Sequence, residues 1–176
     1  MGEYAFRSAS KADIMDLHRL VESAYRGTSA KGGWTHEADL LAGQRTDVAE
    51  LEQIIQDPTQ RIVLAMDGNQ IAGCVCIASK GAGLAYLGML TVDPARQSGG
   101  LGRQLIAAAE QAAVRDFKAD RMEMTVIAQR PELIAYYERR GYGLTGQSRP
   151  FPMDDPRFGV PLRDDLRFVV MEKALA

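Results

Sequence analysis

TVDPARQSGGLGRQLIAAAEQAA, residues Thr91–Ala113, is the stretch on which the fold turns. An apolar, strand-like run ends in Asp93-Pro94, passes through Gly99, Gly100 and Gly102, and at once becomes helical. Leu105, Ile106, Ala109, Ala113 and Phe117 then repeat at helical spacing. Glycine costs chain entropy where a helix begins, so the bare backbone must have a use. A helix start offers unpaired N–H groups and the positive end of the dipole, which favour phosphate oxygens. Glycines remove side chains that would hold a phosphate away, and Arg96 and Arg103 add positive charge on either side. The stretch predicts a strand, an anion-binding loop and a helix; the alternative is a tight strand-to-helix turn with no ligand.

Two nucleotide loops fit poorly. A P-loop needs G-x-x-x-x-G-K-[ST], and no Gly-Lys-Ser or Gly-Lys-Thr occurs in the chain. GLGRQL, Gly100–Leu105, has G-x-G without the third glycine of a dinucleotide fingerprint. It also follows a series of hairpin strands and does not open a β-α-β unit.

Upstream lie three β-like runs, RIVLAM (Arg61–Met66), QIAGCVCIAS (Gln70–Ser79) and GLAYLGMLTV (Gly83–Val92), joined by the turn signals DGN and KGAG. YAFRSAS (Tyr4–Ser10) reads as a first strand. Ser10 then caps a helix, with Asp13 completing an acidic variant of the capping box, and Ile14, Leu17, Val21 and Ala24 form an apolar face that His18 borders. The segment from Arg26 to Arg45 breaks the pattern with its glycines and becomes weakly helical around Glu37–Leu41. TDVAELEQIIQDP (Thr46–Pro58) predicts a helix ended by Pro58. Downstream, RMEMTVIA (Arg121–Ala128) predicts a strand, and PELIAYYERR (Pro131–Arg140) a short helix that starts on Pro131 and ends at Gly141. YGLTGQS (Tyr142–Ser148) and LRFVVMEKAL (Leu166–Leu175) predict the last strands, around a proline- and charge-rich connection. The order β-α-α-β-β-β-α-β-α-β-β, without repeat or linker, predicts a single domain over residues 1–176. Its class is α/β (α+β), with a mixed, largely antiparallel sheet.

Composition narrows the function. With 46% hydrophobic and 25% charged residues, the chain has the profile of a globular domain that buries a core, and a formal charge of −2 gives no overall reason to expect nucleic acid. The opening residues lack a signal-peptide pattern, and the myristoylation match at Gly2 is poor, with Phe6, followed by Arg7, where Ser or Thr is wanted at the sixth position. No apolar run approaches the roughly 20 residues of a membrane span. These features predict a cytoplasmic protein with no membrane or nucleic-acid partner. Cys74 and Cys76 share one face of a strand. They read either as a metal or redox pair or as small buried apolar residues. No second cysteine pair completes a site, and His18 and His36 are the only histidines, so buried packing and no metal are expected.

VDPARQSGGLGRQLI resembles the pyrophosphate-binding signature [QR]-x-x-G-x-[GA] of the GNAT superfamily of acyl-CoA N-acyltransferases, with Gln97, Gly100 and Gly102 at the fixed positions. The strand end V-x-P is similar to the family's fourth strand. YYERRGY resembles the later Y-E-[KR]-x-G-[FY], with Tyr137, Glu138, Arg139, Gly141 and Tyr142 in place. The matched core runs from Arg61 to Tyr142, and the element order extends it to the whole chain. The resemblance implies a six- to seven-stranded, mostly antiparallel sheet flanked by about four helices. It implies acetyl-CoA as acyl donor and no metal. The pantetheine arm would lie where the family's fourth and fifth strands splay, on backbone groups of Leu90 and Val92. The pyrophosphate would sit on the amides of Gln97, Ser98, Gly99, Gly100, Leu101, Gly102 and Arg103.

The family's chemistry implies direct acyl transfer to an amine, with Tyr137 protonating the departing sulfur; otherwise Tyr137 is an aromatic packed on the sheet. Relatives often carry a glutamate on the fourth strand, and GLAYLGMLTV has none. Glu123 and Glu37 are the nearest candidate bases, with ordered water as the alternative. Arg130 stands where relatives often have asparagine, and would contact coenzyme phosphate or a pantetheine oxygen. The acceptor pocket would be built from Tyr25, Trp34, Phe151 and Phe158, with Arg26 or Arg149 meeting a carboxylate and Glu37 or Asp154 an amine. The expected activity is acetylation of a small primary amine. Alternatives are a protein or peptide acetyltransferase and a non-catalytic acyl-CoA sensor. Similar folds are often homodimers, a state the sequence leaves open.

Overall fold

A computed structural model of the chain describes residues 3–25, 41–42, 46–97, 99–153 and 160–175. Its elements in order are β1 (Ala5–Ser8), α1 (Ile14–Tyr25), β2 (Leu41–Ala42), α2 (Val48–Gln56), β3 (Gln60–Asp67), β4 (Gln70–Gly81), β5 (Leu84–Val92), α3 (Leu101–Phe117), β6 (Arg121–Ile127), α4 (Pro131–Arg139), β7 (Gly143–Pro150), β8 (Val160–Pro161) and β9 (Arg167–Ala174).

Strand alternation makes the layers. In β3, Ile62, Leu64 and Met66 face a cluster with Leu17, Val21 and Leu51 from α1 and α2. Val63 and Ala65 face the opposite cluster, with Leu101, Leu105, Ile106 and Ala109 of α3. The same alternation in β4 sends Val75 and Ile77 to the α3 side and Cys74 and Cys76 to the α1 side. Neither cysteine is in a disulfide, and both pack among apolar residues, Cys74 fully buried.

The strands form one seven-stranded sheet in the order β1-β3-β4-β5-β6-β9-β7. Every neighbouring pair is antiparallel except β5–β6, which is parallel. The mixed, mostly antiparallel sheet with flanking helices is as the sequence predicts. The β3–β4 hairpin turns on Gly68 and Asn69, as DGN signals, with Gly68 at φ 59°.

A two-stranded ribbon of β2 and β8 is a difference. Of the weakly helical segment expected over Glu37–Leu41, only Leu41 is described, and it is extended, opposite Pro161. Two-residue strands have no period to read, and their pairing depends on a partner far along the chain.

What positions the site is the failure of β5 and β6 to stay together. Their pairing runs through Leu84–Arg121, Ala85–Met122 and Tyr86–Glu123 and then stops, although both strands continue. On its other edge β5 shifts register against β4 between Cys74 and Cys76, and opposite that shift Met89 takes φ 54°. A left-handed backbone costs a non-glycine residue about 1–3 kcal/mol and persists only where the surroundings hold it. The Met89 side chain is buried in the α1-side cluster, which supplies that hold. Beyond the bulge β5 stays paired with β4 at Thr91 and Val92 but no longer with β6.

Candidate active site

In the gap beyond Tyr86, the Leu90 carbonyl accepts a 2.5 Å hydrogen bond from the Tyr25 hydroxyl at the end of α1. Gln97 Nε2 donates to the Val92 carbonyl at 3.3 Å. Polar groups of β5 that a neighbouring strand would take are thus turned toward side chains and toward a cavity of about 570 Å³.

That cavity is lined by Leu90, Thr91, Val92, Gln97, Gly99, Gly100, Leu101, Gly102 and Arg103 on one side, and by Arg130, Leu133, Tyr136, Tyr137, Arg139 and Arg140 from α4 and its ends on the other. Gly100 precedes α3 at φ 83° and has no side chain to cap the helix. The first intrahelical bond runs from the Gln104 amide to the Gly100 carbonyl, 3.2 Å, so the Leu101, Gly102 and Arg103 amides precede the helical ladder. At Gly102 a Cβ would stand 2.6 Å from the Tyr136 hydroxyl, so a side chain there would displace Tyr136 from its place against the loop. Arg96 lines the cavity too, with its guanidinium held by other groups. Its guanidinium bonds the Asp67 carboxylate and Gln70 Oε1, and its Nε lies 3.6 Å from Asp93, which ties the loop to the β3–β4 hairpin. Arg103, Arg139 and Arg140 line the cavity as well, Arg140 stacking on the Tyr136 ring at 4.7 Å. Helix-start amides, closely approached glycines and several guanidinium groups suit an extended ligand with a phosphate end.

A second cavity of about 550 Å³ lies across the gap. Its lining includes Glu50, Lys80, Tyr86, Thr125, Arg149, Phe151 and Phe168. Five residues line both cavities: Tyr25, Leu90, Arg130, Leu133 and Tyr137. Tyr137 is 6% exposed, and its ring stands edge-on to Tyr136 and Tyr142 at 5.5 and 6.2 Å. Burial pushes its phenol well above the ordinary range, so it keeps its proton at neutral pH.

The expected residues separate as follows. Tyr137, Leu90, Val92, Gln97, Gly99, Gly100, Leu101, Gly102, Arg103 and Arg130 all line the first cavity. Tyr25, Arg149 and Phe151 line the second. Glu123 is not among the lining residues of either: it sits at the last β5–β6 pair, buried, with its carboxylate 2.9 Å from Arg149 Nη2. Ser98, Arg26, Trp34, Glu37, Asp154 and Phe158 lie outside the described residues.

The sequence gives no sign of Glu50, which lines the second cavity from the first turn of α2 and accepts a 2.7 Å bond from the Thr46 hydroxyl. Helical spacing alone makes it a solvated charge. Nor does it reveal the 2.5 Å bond between the Tyr86 and Thr125 hydroxyls. Among the described residues no group of three or more His, Cys, Asp or Glu is placed to hold a metal ion, and no helix is long and apolar enough to cross a membrane.

No curated protein sequence matches the chain. Among solved structures, an acetyltransferase of the GNAT family from Streptococcus pneumoniae is 18% identical, with 98% of this chain and 99% of that one covered at a TM-score of 0.68. Spermidine N-acetyltransferase from Vibrio cholerae, in complex with CoA and spermine, is 17% identical, with 98% and 95% covered at 0.70. The ribosomal-protein-S18-alanine N-acetyltransferase from Escherichia coli is 15% identical, with 99% and 95% covered at 0.69. At these identities the likeness is one of fold. The sequence profile of the Acetyltransferase (GNAT) family matches residues 17–142, a span that holds the glycine loop, the parted strands and Tyr137, and the chain belongs to that family.

Proposed function

We propose that the chain transfers an acetyl group from acetyl-CoA to the primary amine of a small molecule by direct attack. One observation carries this: two cavities, one suited to a phosphate-ended ligand, meet at Tyr137 where β5 and β6 part. Acetyl-CoA supplies an activated thioester. Its arm would lie along β5 at Leu90 and Val92, whose carbonyls Tyr25 and Gln97 hold here, and its phosphates would take the amides from Gln97 through Ser98 to Arg103 with the neighbouring arginines. Tyr137 holds the proton that the departing sulfur needs. Glu50, the carboxylate among the described residues lining the second cavity, takes the proton that the amine must lose, directly or through water. Glu123, the candidate base of the sequence, acts in this scheme by orienting Arg149.

Charge in the second cavity supports a class of acceptor. Lys80, Arg130 and Arg149 stand there against Glu50 and against Glu123, which pairs with Arg149 from outside the lining. That balance favours an amine whose molecule also carries a carboxylate, held by Arg149, over a polyamine such as the spermine bound by the Vibrio cholerae enzyme. Arg26, Trp34 and Glu37 remain part of the proposed pocket, and the cytoplasm its proposed location.

The test is release of free CoA from acetyl-CoA across amino acids, polyamines, aminoglycosides, arylamines and short peptides. Release with carboxylate-bearing amines is expected. Release with polyamines alone overturns the acceptor class, and release with peptides alone turns the reading toward a protein acetyltransferase. Binding of acetyl-CoA with silence across the panel turns it toward a sensor.

A further inference from the structure

Beyond the last β5–β6 pair, Tyr86–Glu123, side chains join the two strands again: the Tyr86 hydroxyl and Thr125 Oγ1 lie 2.5 Å apart across the gap. Alternation decides which face they share. Ala85 and Leu87 of β5 and Met122 and Met124 of β6 are buried on the α3 side, so Tyr86, Gly88 and Thr125 turn to the other. All three line the second cavity and not the first. The Tyr86 ring is fixed there by more than its hydroxyl. A Cβ on Gly88 would stand 3.1 Å from Tyr86 Cε1, so the ring lies close along β5 where residue 88 has no side chain. Lys80 of β4 places its Nζ 5.3 Å from the ring centroid. Tyr137, which both cavities share, is near enough to feel the Tyr86 phenol electrostatically.

We infer that Tyr86, tied to Thr125, limits the length of the acyl group the chain accepts and so selects acetyl over longer donors, an assignment that rests on the acyltransfer reading above. A coenzyme arm along Leu90 and Val92 carries its acyl end to the junction at Tyr137. From there the gap closes toward Glu123, and the bridged Tyr86–Thr125 pair stands across its closed end. An acetyl group ends in a single methyl. A longer chain meets the ring, and moving the ring breaks its bond to Thr125 and lifts it from β5. Packed sites resist even one added methylene at a cost of about 1–3 kcal/mol. The other route for a longer chain is outward, into the second cavity, where the acceptor amine must stand. A chain placed there leaves the ring untouched, so the two routes differ in whether affinity depends on chain length and on Tyr86.

Calorimetry with CoA, acetyl-CoA, propionyl-CoA and butyryl-CoA tests this without any acceptor. The wild-type protein is expected to bind butyryl-CoA about 10–100-fold more weakly than acetyl-CoA, with propionyl-CoA between. Tyr86→Ala is expected to bring butyryl-CoA level with acetyl-CoA, each taken relative to CoA itself. Thr125→Val keeps the ring and removes its tether, so its discrimination is expected to fall between wild type and Tyr86→Ala. Equal affinities for the three acyl-CoAs in the wild-type protein overturn the proposal, and so does undiminished discrimination in Tyr86→Ala. If Tyr86→Ala does not fold, discrimination retained in full by Thr125→Val overturns it. A wild-type protein that binds none of the four, CoA included, counts against the acyltransfer reading itself, whereas binding without selectivity removes only the role of Tyr86.

Discussion

Tyr137 is suited to hold a proton because it is buried between two cavities, and burial raises the phenol far above the ordinary range. The sign of the shift has a kinetic consequence. The protonated form persists through and beyond pH about 10, where an unperturbed tyrosine ionises. The pH–rate profile is therefore expected to show no alkaline loss assignable to this residue. An alkaline limb below pH about 10 that disappears in Tyr137→Phe contradicts that expectation. Tyr137→Phe itself is expected to lower turnover about 100-fold while acetyl-CoA affinity, measured by calorimetry, stays unchanged. Tyr137 and the glycines were readable because each belongs to a short motif whose chemistry is local: Gly100 for its left-handed backbone, Gly102 for the approach to Tyr136. Glu50 and the Tyr86–Thr125 bond were not. The latter joins residues 39 apart, and nothing near either one in sequence says that they will meet.

At the scale of elements, α2 shows both what a sequence carries and where it stops. Asp47 caps the helix, accepting from the Glu50 amide at 2.7 Å, and the apolar spacing of TDVAELEQIIQDP makes the helix legible. That its first turn delivers Glu50 to a cavity depends on how α2 lies over the sheet. Thr46, 1% exposed, fixes that placement: its amide donates to Glu22 of α1 and its hydroxyl to Glu50. Asp47→Ala is expected to cost about 1 kcal/mol, seen as a melting-temperature drop of about 2–4 °C. It is also expected to raise KM for the acceptor and leave that for acetyl-CoA unchanged, since Glu50 lines only the second cavity. At the start of the chain, Arg7 of β1 bonds Asp13 and holds its carboxyl at about 2. That contribution is present above the unfolded value near 4 and is lost as pH falls toward about 2. Arg7→Ala is therefore expected to raise the pH of acid unfolding, by an amount limited by the exposure of Arg7. The bulge in β5 was the element least open to reading. Gly88 is the residue a sequence offers for a left-handed turn, yet Met89 takes it, because burial of the methionine outweighs the backbone cost.

The molecule as a whole is a sheet in two parts, and its function rests on their weak joint. One part is β1-β3-β4-β5 and the other β6-β9-β7, and between them run three parallel pairs and the packing of α3 and α4. The element order and the strand types were legible because alternation and turn residues are local. The parting of two neighbours was legible only through the family resemblance and not from local pattern, because it is set by the bulge opposite β4 and by side chains from α1 and α4 that border the gap. A ligand lying in that gap would bond edges that otherwise have no ladder partner, and would tie the two parts together. Saturating CoA, at about 100 times its dissociation constant, is expected to stabilise the fold by about 2.7 kcal/mol, or about 5–10 °C in melting temperature. Position matters more than size. Hydrogen exchange is expected to slow in the second half of β5, from Leu87 to Val92, in the first turn of α3 and in β6 beyond Glu123. The outer pairs β1–β3 and β7–β9 should change little, because their strands are already paired without ligand. Uniform protection across the sheet would mean that CoA acts on global unfolding alone, and that the gap between β5 and β6 is not where it lies.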